Sequence, residues 1–304
     1  MKRKISRQVK TDMWGWLMVS PLVLGMLIFT VYPLVSSLVY SLFNYRGTGP
    51  LDMDKFVMFE NYKNLFSYTG EGSFLHALKN TAIYTIISVP LGMVLGYLLA
   101  TFLSANIKGS RKFLVLFYLP TLISSVVAGA LWADMLNPEY GIINTILKNV
   151  FGLVEGIPFT DKSHLMASYI FMTLFNLGGG SIIWVAGISS VDKVYYEAAE
   201  IDGAGKLQRF FKITLPLTTP YIFYNLIIGL IGALQLFNQP FVLTKGGGGD
   251  GYALLTVEML IYNSAFSGKM GEATAMAWIL CLIIAALTGL SFLFSDKWVN
   301  YADD

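Results

Sequence analysis

Six long apolar runs, spread from one end of the chain to the other, set the strongest limit on its fold. A helix needs roughly 20 mostly apolar residues to cross a hydrocarbon core of about 30 Å, and each run is long enough with few charges. The sequence therefore predicts an all-α membrane protein with about six transmembrane helices. The predicted spans run from about Trp14 to Phe43, Leu78 to Ala105, Phe113 to Met135, Leu165 to Ile188, Leu217 to Val242 and Ala273 to Phe294.

Composition supports this prediction. Apolar residues make up 55% of the 304 residues and charged residues 13%, and the mean hydropathy is +0.60. A soluble domain carries about a quarter charged residues. The runs leave no stretch long enough for a separate globular core, so residues 1–304 are predicted to form a single transmembrane domain. Pro33, Pro90 and Pro120 lie inside the runs and predict local kinks.

The placement of Lys and Arg predicts the orientation. The connections on the side of both termini carry about 13 of these residues, and the opposite connections carry about 8. Because the cytoplasmic side retains basic residues during insertion, both termini are predicted to be cytoplasmic. An even number of spans agrees with this orientation, because it places both termini on the same side of the membrane.

Several functions receive no support from the charged and reactive residues. The net charge of +2 is small and scattered, which argues against a nucleic-acid partner. His76 and His164 stand alone at predicted external ends, without the ligand spacing of a metal site. Cys281 is the single cysteine, so an intrachain disulfide cannot form. Nothing matches the nucleotide-binding pattern GxxxxGK[ST]. The glycine run KGGGGDG at Lys245 lacks its ending and is interpreted as a flexible external loop.

The connection between the fourth and fifth spans, from Ser189 to Leu215, is unusual for a cytoplasmic loop. It reads SSVDKVYYEAAEIDGAGKLQRFFKITL, with apolar residues interleaved among charges. This pattern favours two short amphipathic helices separated at Gly203 to Gly205. That much apolar surface in the cytosol predicts a partner that covers it.

This loop resembles the cytoplasmic loop of ABC importer permeases, whose pattern is Glu-Ala-Ala, three residues, Gly, nine residues, then Ile-x-Leu-Pro. Asp202 and Ala204 complete the Ile-Asp-Gly-Ala that carbohydrate-type permeases tend to carry. The segments ALQLFNQPFVLTKGGGG and FENYKNLF also resemble permeases of the maltose and glycerol-phosphate type. One departure is Val191-Asp192-Lys193, where the family often has Ile-Pro. The positions matching the loop pattern are Glu197, Ala198, Ala199, Gly203, Ile213, Leu215 and Pro216.

The resemblance implies a type I ABC importer permease in a bacterial or archaeal cell (inner) membrane. The loop would be a coupling helix docked on an ATP-hydrolysing subunit, so this chain would not itself be an enzyme or bind a cofactor. ATP and Mg would be held by two ATP-binding subunits. The other implied partners are a second homologous permease, an extracellular or periplasmic solute-binding protein, a sugar substrate and the lipid bilayer.

Polar groups inside spans are costly and mark candidate positions along a substrate path. Gln235 and Asn238 are predicted to share one face of the fifth helix, with Gln239 four residues from Gln235. Amides and aromatic rings suit sugars, which offer hydroxyls and ring faces. Hydrogen bonding between helices explains the amides equally well. The candidates are Asn176, Trp184, Gln235, Phe237, Asn238 and Gln239.

Three alternatives stay open at this stage. An ion-coupled secondary transporter would carry paired charges within spans and an internal repeat, and neither is clear. A membrane enzyme would need clustered His, Asp or Glu at one membrane face. An ABC permease for a non-sugar solute is also compatible, because the coupling-loop residues say little about cargo.

Overall fold

A computed structural model describes residues 7–104, 109–152 and 155–300. Ala105, where the second predicted span ends, lies outside the described residues, as do Lys2, Arg3, Lys4 and Lys108 of the basic side. Within the described ranges the chain is helical, and its β-type pairing is an isolated antiparallel bridge between Phe43 and Phe56.

Sixteen α-helical segments are present in the described part of the chain. They are α1 (Arg7–Met26), α2 (Tyr32–Ser41), α3 (Glu60–Ser67), α4 (Phe74–Ser104), α5 (Ser110–Tyr118), α6 (Ser125–Met135), α7 (Ile142–Phe151), α8 (Leu165–Leu174), α9 (Gly178–Ser189), α10 (Lys193–Ile201), α11 (Lys206–Arg209), α12 (Leu215–Leu217), α13 (Thr219–Leu234), α14 (Asn238–Leu243), α15 (Val257–Phe266) and α16 (Met270–Ser295).

Four stretches without a sharp bend are long and apolar enough to cross a membrane, namely Met13–Ser41, Phe74–Ser104, Thr219–Leu243 and Met270–Ser295. Two further pairs, α5 with α6 and α8 with α9, meet the same criterion only when taken together, because each pair is bent. Counting each bent pair as one span gives six. The predicted all-helical membrane fold is confirmed.

The third predicted span is wrong as a single helix from Phe113 to Met135. Leu119–Leu122 forms a 3₁₀ turn, Ile123 is extended, and the axis turns by 94°. The Ser124 hydroxyl then accepts a hydrogen bond from the Val127 N–H at 3.3 Å and starts α6. The predicted kink residue Pro120 lies within the 3₁₀ turn, but the chain becomes extended three residues later, at Ile123. A side-chain cap can restart the helix at that point.

The fourth and fifth predicted spans also contain breaks. α8 and α9 meet at 46° around Asn176. α13 ends at Leu234, and the three residues before α14 are not helical. The carbonyl freed at Leu236 accepts a hydrogen bond from the Thr256 hydroxyl at 2.7 Å, so this backbone group is paired despite the break.

The other two predicted kinks differ from each other. Pro33 follows a π-helical segment, Leu27–Val31, as expected where a proline ring displaces the carbonyl four residues earlier. Pro90 lies inside α4, which stays one continuous helix.

Helix α4 is the centre of the packed bundle. Ala77, Tyr84, Tyr97 and Ala100 are buried along its 31 residues, where it packs against α9 and α13. The first span instead lies at the edge, with its apolar side chains exposed. Such exposure is costly in water and suits contact with lipid.

Candidate functional site

The segment from α10 to α12 forms a helical hairpin, residues 193–217, hereafter the coupling hairpin. Its first helix starts at Asp192, whose carboxylate accepts a hydrogen bond from the Val194 N–H at 3.1 Å. Asp192 is part of the departure from the family pattern, and it supplies a good N-cap at that position. On α10, Glu197 and Ala198 are exposed, and Ala199 is partly buried.

A glycine turn ends α10. Gly203 has φ +79°, a left-handed conformation, and its N–H donates to the Glu200 carbonyl at 3.1 Å. The Ala204 N–H donates to the Ala199 carbonyl at 2.8 Å. These two bonds form a Schellman motif, which closes the last turn of a helix and requires a residue that tolerates positive φ. Asp202, just before the turn, is exposed.

The return arm of the hairpin runs back into the bundle. Arg209 pairs with Glu200 at 3.1 Å and ties the two arms together, a contact that the sequence analysis missed. Phe210–Thr214 is π-helical and precedes Pro216, whose ring displaces the backbone as Pro33 does. Ile213, Leu215 and Pro216 are partly buried.

Large apolar side chains remain uncovered on the hairpin. Ile201 is 88% exposed, Leu207 75% and Phe211 60%. The predicted pair of short helices separated at Gly203 to Gly205 is present, and it displays the apolar surface that suggested a covering partner.

A cavity of about 230 Å³, hereafter the bundle cavity, lies between α4, α9 and α13. Asn176, Trp184 and Asn225 line it together with Ser88. Trp184 is 4% exposed, and its indole nitrogen is 3.4 Å from where a Cβ on Gly96 or Gly180 would lie. Those two glycines make room for the indole.

A larger groove of about 500 Å³, hereafter the bend groove, opens at the break between α5 and α6. Asn176 also borders this groove, where it is joined by Gln239 and by the rings of Trp132 and Phe175. The Tyr169 hydroxyl, on a fully buried side chain, donates to the Gln239 amide oxygen at 3.1 Å. That bond leaves the Gln239 amino group available to donate into the groove.

A third groove, of about 700 Å³, lies between α13, α15 and α16. It contains Gln235, Glu258, Cys281 and Thr288 in an otherwise apolar lining. Burial raises the pKa of the Glu258 carboxyl.

The predicted path residues thus divide among separate places. Asn176 and Trp184 share the bundle cavity, Asn176 and Gln239 share the bend groove, and Gln235 faces the third groove. The predicted common helical face of Gln235 and Asn238, and the i,i+4 relation of Gln235 to Gln239, are wrong because the helix stops at Leu234.

Two other predicted residues and one missed residue complete the description. Phe237 packs in a ring cluster, 5.0 Å from Phe241 and 5.1 Å from Tyr262, and Asn238 is exposed at the start of α14. Asn225 was missed, although it is a polar residue inside the apolar fifth run and the same rule would have found it.

The connections that are predicted to be external meet in one cluster. Lys162 pairs with Glu71 at 2.6 Å, and both side chains are about half exposed, at 54% and 55%. Their hydrogen bond lowers the pKa of the Glu71 carboxyl and raises the pKa of the Lys162 ammonium. Asn80 donates to the Tyr252 carbonyl at 2.9 Å, which attaches the connection after α14 to α4.

The glycine run belongs to this cluster and is not the flexible loop that was expected. Gly246, Gly248 and Gly249 have φ near +80°, and a Cβ on Gly248 would lie 2.7 Å from the Leu255 side chain. Asn263 donates to the Gly246 carbonyl at 2.9 Å. The glycines therefore permit a tightly packed turn. The described residues hold no cluster of three or more His, Cys, Asp or Glu suited to a metal ion.

The comparisons agree with this architecture. Residues 88–300 match the family model of the binding-protein-dependent transport system inner membrane component. The chain is 34% identical to the probable ABC transporter permease protein YesP of Bacillus subtilis, covering 98% of this chain and 96% of the relative. It is 30% identical to the lactose transport system permease protein LacF of Rhizobium radiobacter, covering 92% and 93%.

A solved structure has the same fold. A chain of a bacterial ABC transporter involved in the import of the acidic polysaccharide alginate superposes with a TM-score of 0.79 at 24% identity, covering 97% of this chain and 99% of that one.

Proposed function

Because the chain belongs to the family of inner membrane components of binding-protein-dependent transport systems, we propose that it is the permease subunit of an ATP-driven sugar importer. The names of the relatives support a sugar cargo, since LacF is a lactose permease and another relative, MsmF of Streptococcus mutans, belongs to a multiple sugar-binding transport system. The family makes the chain a multi-pass membrane transport subunit and not an enzyme.

The observation that carries the proposal is the coupling hairpin. It combines a rigid glycine turn, exposed apolar side chains and a return arm that enters the bundle beside α13. An ATP-binding subunit docked on such a hairpin would cover its apolar surface and could move the bundle. Glu197 would offer a carboxylate to a cationic group of that subunit, and Ala198 and Ala199 would permit close approach. ATP and Mg would be bound by two such subunits.

Contacts in the same region also bear on the orientation that we propose. The Asn300 side chain donates to the Pro216 carbonyl at 3.2 Å, and the Asn300 N–H donates to the Thr219 hydroxyl at 2.8 Å. The chain near its last described residue thus lies beside the hairpin. This contact supports the proposal that the hairpin and the chain near Asn300 share one side of the membrane, which the distribution of Lys and Arg predicts to be the cytoplasmic side.

The substrate would pass along the bend groove and the bundle cavity. Asn176 borders both, so it is the residue best placed to contact a sugar at either point. Gln239 and Trp132 would add an amide donor and a ring face, the two features that suit saccharide recognition. We assign the third groove, with Gln235, to the side of a second permease subunit, because an apolar surface containing a carboxyl is poorly matched to lipid.

The external cluster around Lys162 and Tyr252 would receive the loaded binding protein.

Two alternative hypotheses differ from the sugar-importer proposal in cargo or energy source. A permease of the same family for a non-sugar solute would have the same hairpin, and sn-glycerol-3-phosphate permeases are among the relatives. A secondary transporter would need no hairpin partner.

The test is purification of this chain with the products of its neighbouring genes in mild detergent, followed by an ATPase assay. We expect a second permease and an ATP-binding subunit to co-purify, and hydrolysis to rise when the binding protein is loaded with one member of a saccharide panel. Stimulation by a non-sugar alone would overturn the cargo proposal. A chain that transports a solute without any ATP-binding subunit would overturn the importer proposal.

The role of Glu197 is tested in the same complex. Glu197→Ala would remove the proposed charge-assisted hydrogen bond to the ATP-binding subunit, a type worth about 1.5–3 kcal/mol. Stimulated hydrolysis should then fall roughly 10-fold or more while membrane insertion stays normal. The matched control is Glu139→Ala, an exposed acidic residue far from the hairpin in sequence. Equal activity of the two variants would remove Glu197 from the docking surface.

A further inference from the structure

A chain of buried hydrogen bonds connects the coupling hairpin with the centre of the bundle. On α10, the Tyr196 hydroxyl lies 2.9 Å from the Thr214 hydroxyl. One turn later, the Thr218 hydroxyl donates to the Thr214 carbonyl at 2.7 Å. The Tyr97 hydroxyl of α4 lies 2.6 Å from the Thr218 oxygen. Since the single Thr218 proton is directed to Thr214, Tyr97 must be the donor in this last bond.

The connection continues from Tyr97 to the bundle cavity. The Tyr97 ring packs edge-on against Trp184, with centroids 5.3 Å apart and planes at 80°. Trp184 is a wall of the bundle cavity, as is Asn176. Tyr97 also contacts the ring of Phe210, in the π-helical part of the hairpin, at 5.9 Å. Two contacts, one polar and one aromatic, therefore join the hairpin to the same tyrosine.

The burial of these groups makes the connection stiff. Thr218 is 0% exposed, Tyr97 6%, Thr214 6% and Trp184 4%. Separating buried partners would leave hydroxyl groups unpaired away from water, which is costly. A displacement of residues 210–218 must then either carry Tyr97 with it or break the bond between Tyr97 and Thr218. The π-helical geometry of that segment is a feature often found at functional sites.

We propose that Tyr97 and Thr218 are positioning residues that transmit movement of the coupling hairpin to the wall of the bundle cavity. The proposal rests on the coupling role proposed above for the hairpin. It assigns a function to Tyr97, which lies 121 positions from Thr218 in the sequence and belongs to neither the hairpin motif nor the candidate sugar contacts. Packing alone would not require the hydroxyl.

The test uses accessibility of the cavity, so it does not depend on knowing the cargo. In the full complex, Cys281 is replaced by Ser and Asn176→Cys serves as the reporter. A membrane-impermeant thiosulfonate labels the cysteine with or without ATP and vanadate, which arrest the ATP-binding subunits. We expect ATP and vanadate to change the labelling rate in this background.

Removal of one hydroxyl is then compared at two buried residues of the same helix. Tyr97→Phe should reduce the nucleotide-induced change in labelling by roughly two- to tenfold, the range of effect that one buried hydrogen bond commonly has on an equilibrium. Thr85→Val is the control, because Thr85 is 5% exposed on α4 and its hydroxyl donates within that helix, to the Thr81 carbonyl at 2.8 Å. Its response should equal that of the reporter alone.

A second pair of variants, at Thr218, distinguishes loss of the hydroxyl from loss of folding. Thr218→Val removes the hydroxyl and Thr218→Ser keeps it, so the response should be lost in the first and retained in the second, with equal recovery of the complex. Equal responses of Tyr97→Phe and Thr85→Val would overturn the proposal. If Gly203→Val abolishes the response while Tyr97→Phe and Thr218→Val do not, the hairpin couples by another route. If the reporter never responds to nucleotide, or responds normally in Gly203→Val, the coupling role of the hairpin itself fails.

Discussion

The turn at Gly203 offers a sharp test of the coupling hairpin, because a second glycine two residues later serves as its control. Gly203 has φ +79°, whereas Gly205 has φ −71° and ψ 166°, which any residue can adopt. A Cβ added at either position would meet no atom within 4 Å. Replacement of the two glycines by Ala therefore differs in backbone conformation and not in crowding.

The size of the effect follows from that difference. A residue other than glycine pays about 1–2 kcal/mol in the left-handed region, and Asn pays less than Ala. A cost of that size changes a conformational equilibrium by about 5- to 30-fold. We expect Gly203→Ala to weaken binding of the ATP-binding subunit by up to this factor, Gly203→Asn to weaken it less, and the β-branched Gly203→Val to weaken it most. Gly205→Ala should remain within about twofold of the parent.

The assay is the dissociation constant of the purified ATP-binding subunit for the permease pair held in lipid nanodiscs. Recovery and thermal midpoint of each variant show that insertion is normal. Equal constants for Gly203→Ala and Gly205→Ala, both close to the parent, would refute the argument that the left-handed turn shapes the docking surface.

Three further predictions concern the rest of the molecule. Tyr169→Phe removes the bond that orients the Gln239 amide, so we expect a rise of about 2- to 10-fold in the KM of uptake with little change in basal ATPase activity; an unchanged KM would exclude that amide from the path. Gly271→Ala would force a Cβ into the Phe43 carbonyl and should cost about 1–3 kcal/mol of stability, measured as a lower thermal midpoint, whereas Gly289→Ala has open space and should not. Glu71→Gln should lower the thermal midpoint at neutral pH. Because the Glu71 pKa is lowered from 4.5, the stability that ionised Glu71 contributes is lost as the pH falls below that value. The parent and the variant should then have the same thermal midpoint. A difference in midpoint that persists in acid would contradict the ion pair as its cause.

The sequence predicted the long helices well because span length and apolar content are local properties. It did not predict the 94° bend after Pro120, since the apolar run continues through Ile123 and the helix restarts on the Ser124 side chain. The break after Leu234 was also unpredictable from periodicity, because the Leu236 carbonyl is satisfied by Thr256, twenty residues away. This second break depends on a partner that only the fold brings near.

The hairpin was more predictable than the substrate path because its geometry depends on residues that are close together in the sequence. Its turn chemistry is carried by Gly203 and its immediate neighbours, so the sequence motif and the Schellman geometry coincide. The candidate sugar contacts depend on which faces of separate helices meet. Asn176 and Gln239 do meet at the bend groove, but Gln235 faces elsewhere.

Site-specific photo-crosslinking in the assembled, ATP-hydrolysing complex tests the central claim most directly. A benzophenone amino acid at Ala198, exposed on α10, should crosslink to the ATP-binding subunit. The same group at Lys269, exposed in the connection before α16 that is expected to face outside, should not. Crosslinking of the ATP-binding subunit from Lys269, or from neither position in an active complex, would contradict the account of how this permease is coupled and oriented.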